Sequence, residues 1–187
     1  MKRKTPLFWL AFLLGLAVLF LLFLYPGYLR QNGAPPENQH VPDLPDRERE
    51  QEVTLFFPNQ EYIQTGRADL PMLKEVKRTV EAKDENLVAK VLAELRKPPA
   101  EKGFTTALHD ELKILTARQE DRRAYVDFSS ENLYGGSLQE TLLVHQIVRT
   151  LTALPGIDEV QFLVEGEKRE SLMGHISTDE PISPDQL

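Results

Sequence analysis

SLQETLLVHQIVRTLTALPGIDEVQFLVEG, running from Ser137 to Gly166, decides how the chain folds. Leu143, Val144, Ile147, Val148, Leu151 and Leu154 recur at three- and four-residue spacing, which predicts a helix with one buried stripe. Ser137 and Glu140 stand at the spacing of a capping box, in which each side chain satisfies a free backbone donor of the other residue. Pro155-Gly156 ends the helix. Val160, Phe162 and Val164 then alternate, the period of a half-buried strand. Gly166 turns the chain toward a last short strand around Ser171 and Leu172.

Upstream, Leu112, Ile114 and Thr116 alternate, as do Ala124, Val126 and Phe128. The charged segment from Gln119 to Arg123 between them predicts a β-hairpin. Before the hairpin, Asp84 is placed to cap a helix whose face is Leu87, Val88, Val91, Leu92 and Leu95, with Pro98 and Pro99 as its stop. VTLFFP, from Val53 to Pro58, reads as a strand ended by proline, and residues 59–71 as a loop. Leu73 to Val80 mixes apolar and charged residues, the pattern of an edge strand guarded against foreign pairing. The order is strand, strand, helix, hairpin, helix, strand. It does not alternate strictly, which argues against a doubly wound parallel sheet. The expected class is α+β, a mixed or antiparallel sheet with two helices on one face.

The N-terminus carries a different signal. LFWLAFLLGLAVLFLLFLY, from Leu7 to Tyr25, contains no charge. At about 1.5 Å per residue it spans roughly 28 Å, close to the hydrocarbon thickness of a bilayer. Lys2, Arg3 and Lys4 precede it and predict a cytoplasmic N-terminus. Trp9, Tyr25 and Tyr28 stand where interfacial aromatics belong. The run is longer than the core of a secretory signal peptide, and Pro26, Gly27, Tyr28, Leu29 and Arg30 make a poor cleavage site. The reading is a cytoplasmic tail over residues 1–6, a transmembrane signal anchor over 7–25 and a proline-rich linker over 26–51. An extracytoplasmic domain over 52–175 and a flexible tail over 176–187 complete it. The location expected is the cell membrane, with a single pass and the domain outside the cytoplasm.

VTLFFPN, GFTTALHDELKIL, AYVDFSSENL and above all IVRTLTALPGIDEVQFLVEG together resemble the GerMN domain family, named from a sporulation and germination protein. SLMGHISTDEPI resembles the family's trailing segment. The likeness spans about Val53 to Ile182 and is most specific from Arg149 to Gly166. Lys97-Pro98 stands where a Gly-Pro is commoner, one copy is present where the namesake has two, and no acceptor cysteine precedes the domain. The resemblance implies an extracytoplasmic bacterial α+β module of envelope or sporulation processes, with no established catalytic residues. It also implies a fold similar to ring-building modules of secretion and sporulation assemblies, an analogy that does not itself imply assembly.

Chemistry is sparse. The 187 residues include no cysteine, which removes disulfides, thiolate metal sites and cysteine nucleophiles. Ser129, Ser130, Asp127 and His145 supply the residue types of a serine hydrolase, without a G-x-S-x-G elbow. His40, His109, His145 and His175 are widely separated, with no H-E-x-x-H pattern. The acidic pairs Glu120/Asp121, Asp158/Glu159 and Asp179/Glu180 are neighbours in sequence. Neighbours on a strand face opposite ways, so the pairing is no sign of a glycosidase dyad. Gly135-Gly136 precedes a helix but belongs to no phosphate-binding motif. Arg122 and Arg123 sit among acids, and the net charge of -7 argues against a nucleic-acid partner.

The expectation is therefore a non-enzyme without catalytic, metal or cofactor residues. It docks on an envelope protein or on a second copy, through a sheet edge or a groove beside the helices. Peptidoglycan or another wall glycan is the second candidate ligand, with Tyr125, Tyr134 and Phe104 as sugar-facing rings. A cell-wall hydrolase is the third reading.

Overall fold

The structure is a computed structural model that describes residues 48–187. The expected tail, membrane span and most of the linker lie outside the described residues. Among those described, no helix is long and apolar enough to cross a membrane.

Strand β1 (Arg49–Pro58) pairs antiparallel with β2 (Leu73–Ala82) along its whole length, Arg49 opposite Ala82 and Pro58 opposite Leu73. Val53, Leu55 and Phe57 alternate inward and are buried, as are Val80 and Ala82. The strand starts a turn earlier than its apolar run, because its first residues are carried by pairing with β2 and not by burial. Between the strands, where a loop was expected, the chain forms α1 (Gln60–Thr65). Asn59 Oδ1 accepts the Glu61 N–H at 3.2 Å. Gly66, at φ 63°, closes the other end with its N–H on Tyr62 O. No residue of α1 is fully buried, so no apolar stripe announces it; its two caps define it.

Helix α2 (Leu87–Leu95) follows a 3-10 turn, Asp84–Asn86. Asp84 is not its cap. Asn86 Oδ1 accepts the Lys83 N–H at 2.9 Å, and Asp84 pairs with Arg49 at 3.2 Å. All five expected apolar residues of α2 are buried.

Strands β3 (Ile114–Glu120) and β4 (Arg123–Phe128) form the hairpin, turning through Asp121, at φ 54°, and Arg122. The strands reach into the charged segment assigned to the turn, and the register shifts between Ile114 and Thr116. Helix α3 (Ser137–Leu151) then carries the chain across to β5 (Glu159–Val164), which lies parallel to β4.

There are two sheets, not one: β1-β2 and the mixed sheet β3-β4-β5. Helix α3 packs on β1 and β5, while α2 packs on β1, β2 and β3. The helices thus join both sheets in one core, whose largest wholly buried side chains include Phe57, Phe128, Phe162, Leu95 and Ile147.

The end of the chain also differs from expectation. No strand forms at Ser171-Leu172. Residues 176–187 are not frayed: Ile182 bridges Val160 with hydrogen bonds of 2.9 and 2.8 Å, and Thr178 is 1% exposed. Gln161 Nε2 donates to Thr178 O at 3.1 Å. The physical reason is the free edge of β5, whose unpaired backbone groups the tail satisfies.

Candidate functional site

The sequence's candidate chemistry is absorbed by the fold. Glu165 Oε1 accepts from the Ser130 N–H at 2.7 Å and from the Ser130 and Ser129 hydroxyls at 3.0 and 3.1 Å. These bonds, the backbone donor first, hold the Glu165 carboxyl below its ordinary value. Asp127 Oδ1 accepts the Gly166 N–H at 2.9 Å. The serines and Asp127 thus tie the end of β4 to the turn after β5. His145 stands elsewhere, half-buried on α3 beside Phe56, Met72, Leu73 and Arg149. Burial, and secondarily the Arg149 charge, lower its pKa from 6.5. Among the described residues no hydrogen bond joins His145 to either serine or to Asp127.

Several other candidates are similarly engaged. Asp158 forms a two-pronged pair with Arg122, and Glu159 takes the Arg123 guanidinium at 2.5 Å. The Asp158–Arg122 hydrogen bonds lower the carboxyl's pKa and raise the guanidinium's. Asp179 accepts from the Ser177 hydroxyl at 2.8 Å. His175 Nε2 lies 3.2 Å from Gly135 O, and no group of three or more potential metal ligands gathers among the described residues. Tyr125 packs against Arg118 and Arg123, whose guanidinium carbons lie 4.5 and 5.9 Å from its ring centre. Phe104 packs edge-on against Phe57 under Lys74. Of the three rings proposed for a sugar, only Tyr134 is strongly exposed, at 74%.

The capping box is the sharpest correction. Gly136, not Ser137, is the N-cap, and Glu140 is wholly buried. Glu140 Oε1 accepts the N–H groups of Leu172 and Met173 at 3.0 and 2.8 Å, and Oε2 accepts that of His175 at 2.7 Å. The side chain reaches forward to dock the segment after β5, not back to its own helix end. A buried acid with three backbone donors is the main polar joint between α3 and the chain's last part.

A larger concave surface lies elsewhere. A cleft of about 460 Å3 opens between α1 and the first turns of α3. Pro58, Ile63, Ala107, Leu138 and Leu142 supply its apolar floor, and Gln60, Gln64, Gln139, Thr105 and Thr106 its polar rim. No Asp, Glu, Lys or Arg lines it, and His109 is its single titratable side chain. The volume is that of an ordinary ligand pocket. Beneath it Gln146, fully buried, accepts the Ala107 N–H at 2.8 Å and so fixes the wall to α3. None of the rim residues stands out in the sequence as a binding residue. They come from three separate segments, and the single local signal is Leu138, an exposed apolar residue at the start of an otherwise regular helix.

This arrangement of two sheets around two long helices matches a known family. The family model described as "Germane: Sporulation and spore germination" matches residues 54–170. The chain belongs to the Germane family. Its fold is similar to that of the first GerMN domain of the sporulation protein GerM from Bacillus subtilis. The TM-score is 0.54 at 20% identity, over 72% of this chain and 98% of that domain. The tandem GerMN domains of the same protein match at a TM-score of 0.50 and 20% identity, over 79% of this chain and 49% of that one. A chain from Clostridium perfringens described as a candidate lipoprotein matches at 0.49 and 21% identity, over 73% and 89%. Among curated proteins nothing matches significantly. At these identities the likeness to the solved structures speaks to fold alone.

Proposed function

We propose that this Germane-family chain is a non-enzymatic interaction module of the bacterial cell envelope. It is held at the membrane by the apolar run from Leu7 to Tyr25, and its domain faces away from the cytoplasm. The observation that carries the reading is the division of labour among side chains. Ser129, Ser130, Asp127, Glu140, Asp158 and Glu165 are all spent on internal hydrogen bonds, while the cleft between α1 and α3 is open and lined without a carboxylate. Such a cleft, with His109 as its single titratable group and no carboxylate beside it, suits docking better than bond cleavage, which needs a set of acid, base and nucleophile in mutual contact. The family's description supports a sporulation- or germination-related process. The Bacillus subtilis chain with the similar fold is itself a sporulation protein.

The test is chemical cross-linking of the full chain in intact cells, followed by membrane fractionation. The expected result is a membrane-bound chain recovered with a discrete protein adduct. A soluble chain recovered without adducts would overturn the reading, as would wall-degrading turnover that survives purification and is lost in a folded point variant.

A further inference from the structure

His145 and Arg149 stand one turn apart on α3, so their side chains share a face of the helix. With Phe56 of β1, and with Met72 and Leu73 where the chain enters β2, they line a pocket of about 270 Å3. No residue of this pocket lines the cleft between α1 and α3. Its walls are fixed from two sides. The Phe56 N–H donates to Thr150 Oγ1 at 3.0 Å, which ties β1 to the end of α3. The Met72 carbonyl accepts the Asn59 N–H at 2.9 Å.

The polar side of the pocket consists of nitrogen groups. Arg149 is exposed, and among the described residues its guanidinium has no hydrogen bond or ion pair. Elsewhere in the domain Arg78, Arg122 and Arg123 each hold a carboxylate. Glu75 stands opposite Phe56 in the β1-β2 register, hence on the same face of that ribbon, yet it forms no ion pair with Arg149. His145 is half-buried, and burial first and the Arg149 charge second lower its pKa, the behaviour of a histidine with no acid at hand. A place in the last turn suits Arg149 to the helix dipole, but that leaves the donors of its fork unused.

An occupant that satisfies both sides of this pocket carries a carboxylate and an apolar group within a few bonds of each other. A free inorganic anion would leave Phe56, Met72 and Leu73 uncovered. An internal Asp or Glu brings its carboxylate on a short methylene stem, with little else to bury. A neutral sugar brings no charge to Arg149. The end of a polypeptide supplies both, because its carboxylate and its last side chain leave the same carbon. The volume lies below the range of drug-sized ligands and suits a single residue. A carboxylate also takes the guanidinium fork two-pronged, the geometry for which arginine is better fitted than lysine.

From this geometry we infer that the pocket captures the C-terminal carboxylate of a peptide or protein that ends in a hydrophobic residue. Arg149 and His145 hold the carboxylate, while Phe56, Met72 and Leu73 surround the last side chain.

The test is fluorescence anisotropy of a labelled, otherwise uncharged peptide ending in leucine, titrated with the full chain in a neutral detergent. The expected result is saturable binding, weakened about tenfold or more by amidation of the peptide's end or by Arg149→Gln. Replacing the terminal leucine by glycine weakens binding as well. Arg169→Gln, which removes the same charge from an exposed residue outside the pocket, leaves it unchanged. Thermal unfolding of each variant shows the fold retained. An amidated peptide bound as tightly as the free acid overturns the inference, and that comparison needs no variant. Equal losses for Arg149→Gln and Arg169→Gln overturn it too, since they reduce the contact to net charge. Equal binding of an amidated peptide with an internal glutamate removes the chain-end assignment, and absence of any binding sinks the inference outright.

Discussion

Glu140 shows how one side chain can be misread from its neighbours and still be decisive. Its spacing from Ser137 suggests a helix cap, yet its three partners lie 32 to 35 residues downstream. Removing the side chain leaves three backbone donors without an acceptor, that of Leu172 in a buried position. Glu140→Ala should therefore cost about 3 kcal/mol, and Glu140→Gln, which keeps one acceptor oxygen, about 1–2 kcal/mol. Urea unfolding followed by far-UV circular dichroism measures both, and equal costs would contradict the hydrogen-bond account. His145 supplies a pH signature. Burial lowers its pKa from 6.5, so the folded state resists a proton that the unfolded chain accepts. Stability should fall as pH drops below about 7 toward the lowered folded pKa, and level off below it. His145→Gln should flatten that part of the profile. An unchanged slope in the variant would assign it elsewhere. At lower pH a second loss is expected as Glu165, Asp158 and Asp179, all with pKa values held below normal, become protonated.

At the scale of elements, the helices α2 and α3 and the hairpin β3-β4 were legible because each carries its own period: the stripe of Leu87, Val88, Val91, Leu92 and Leu95, and the alternation of Ala124, Val126 and Phe128. What stayed hidden has no such period. Helix α1 depends on Asn59 and Gly66 at its ends and buries nothing completely. The tail is polar, and its order comes from β5, whose edge it covers at Val160. The cleft was hidden for the same reason. Gln60, Thr105 and Gln139 look like ordinary surface residues until α1 and α3 bring them together. Deleting residues 181–187 should lower the melting temperature and promote aggregation through the bared β5 edge. A truncated chain with unchanged melting and solubility would show that Ile182 adds nothing. Gly66→Ala, strained at positive φ, should cost about 1 kcal/mol.

At the scale of the whole molecule, both sheets share one set of buried side chains, so residues 48–187 should unfold in a single cooperative transition. Two transitions would mean that the β1-β2 ribbon is an independent unit. On the function proposed above, the cleft between α1 and α3 docks a protein and performs no chemistry. Its most direct test places a photo-cross-linking amino acid at Gln64, inside the cleft, and at Arg118, on the sheet face with Tyr125, in full-length chains within living cells. The prediction is a discrete protein adduct from position 64 and little from position 118. Equal or absent adducts at the two positions would contradict it.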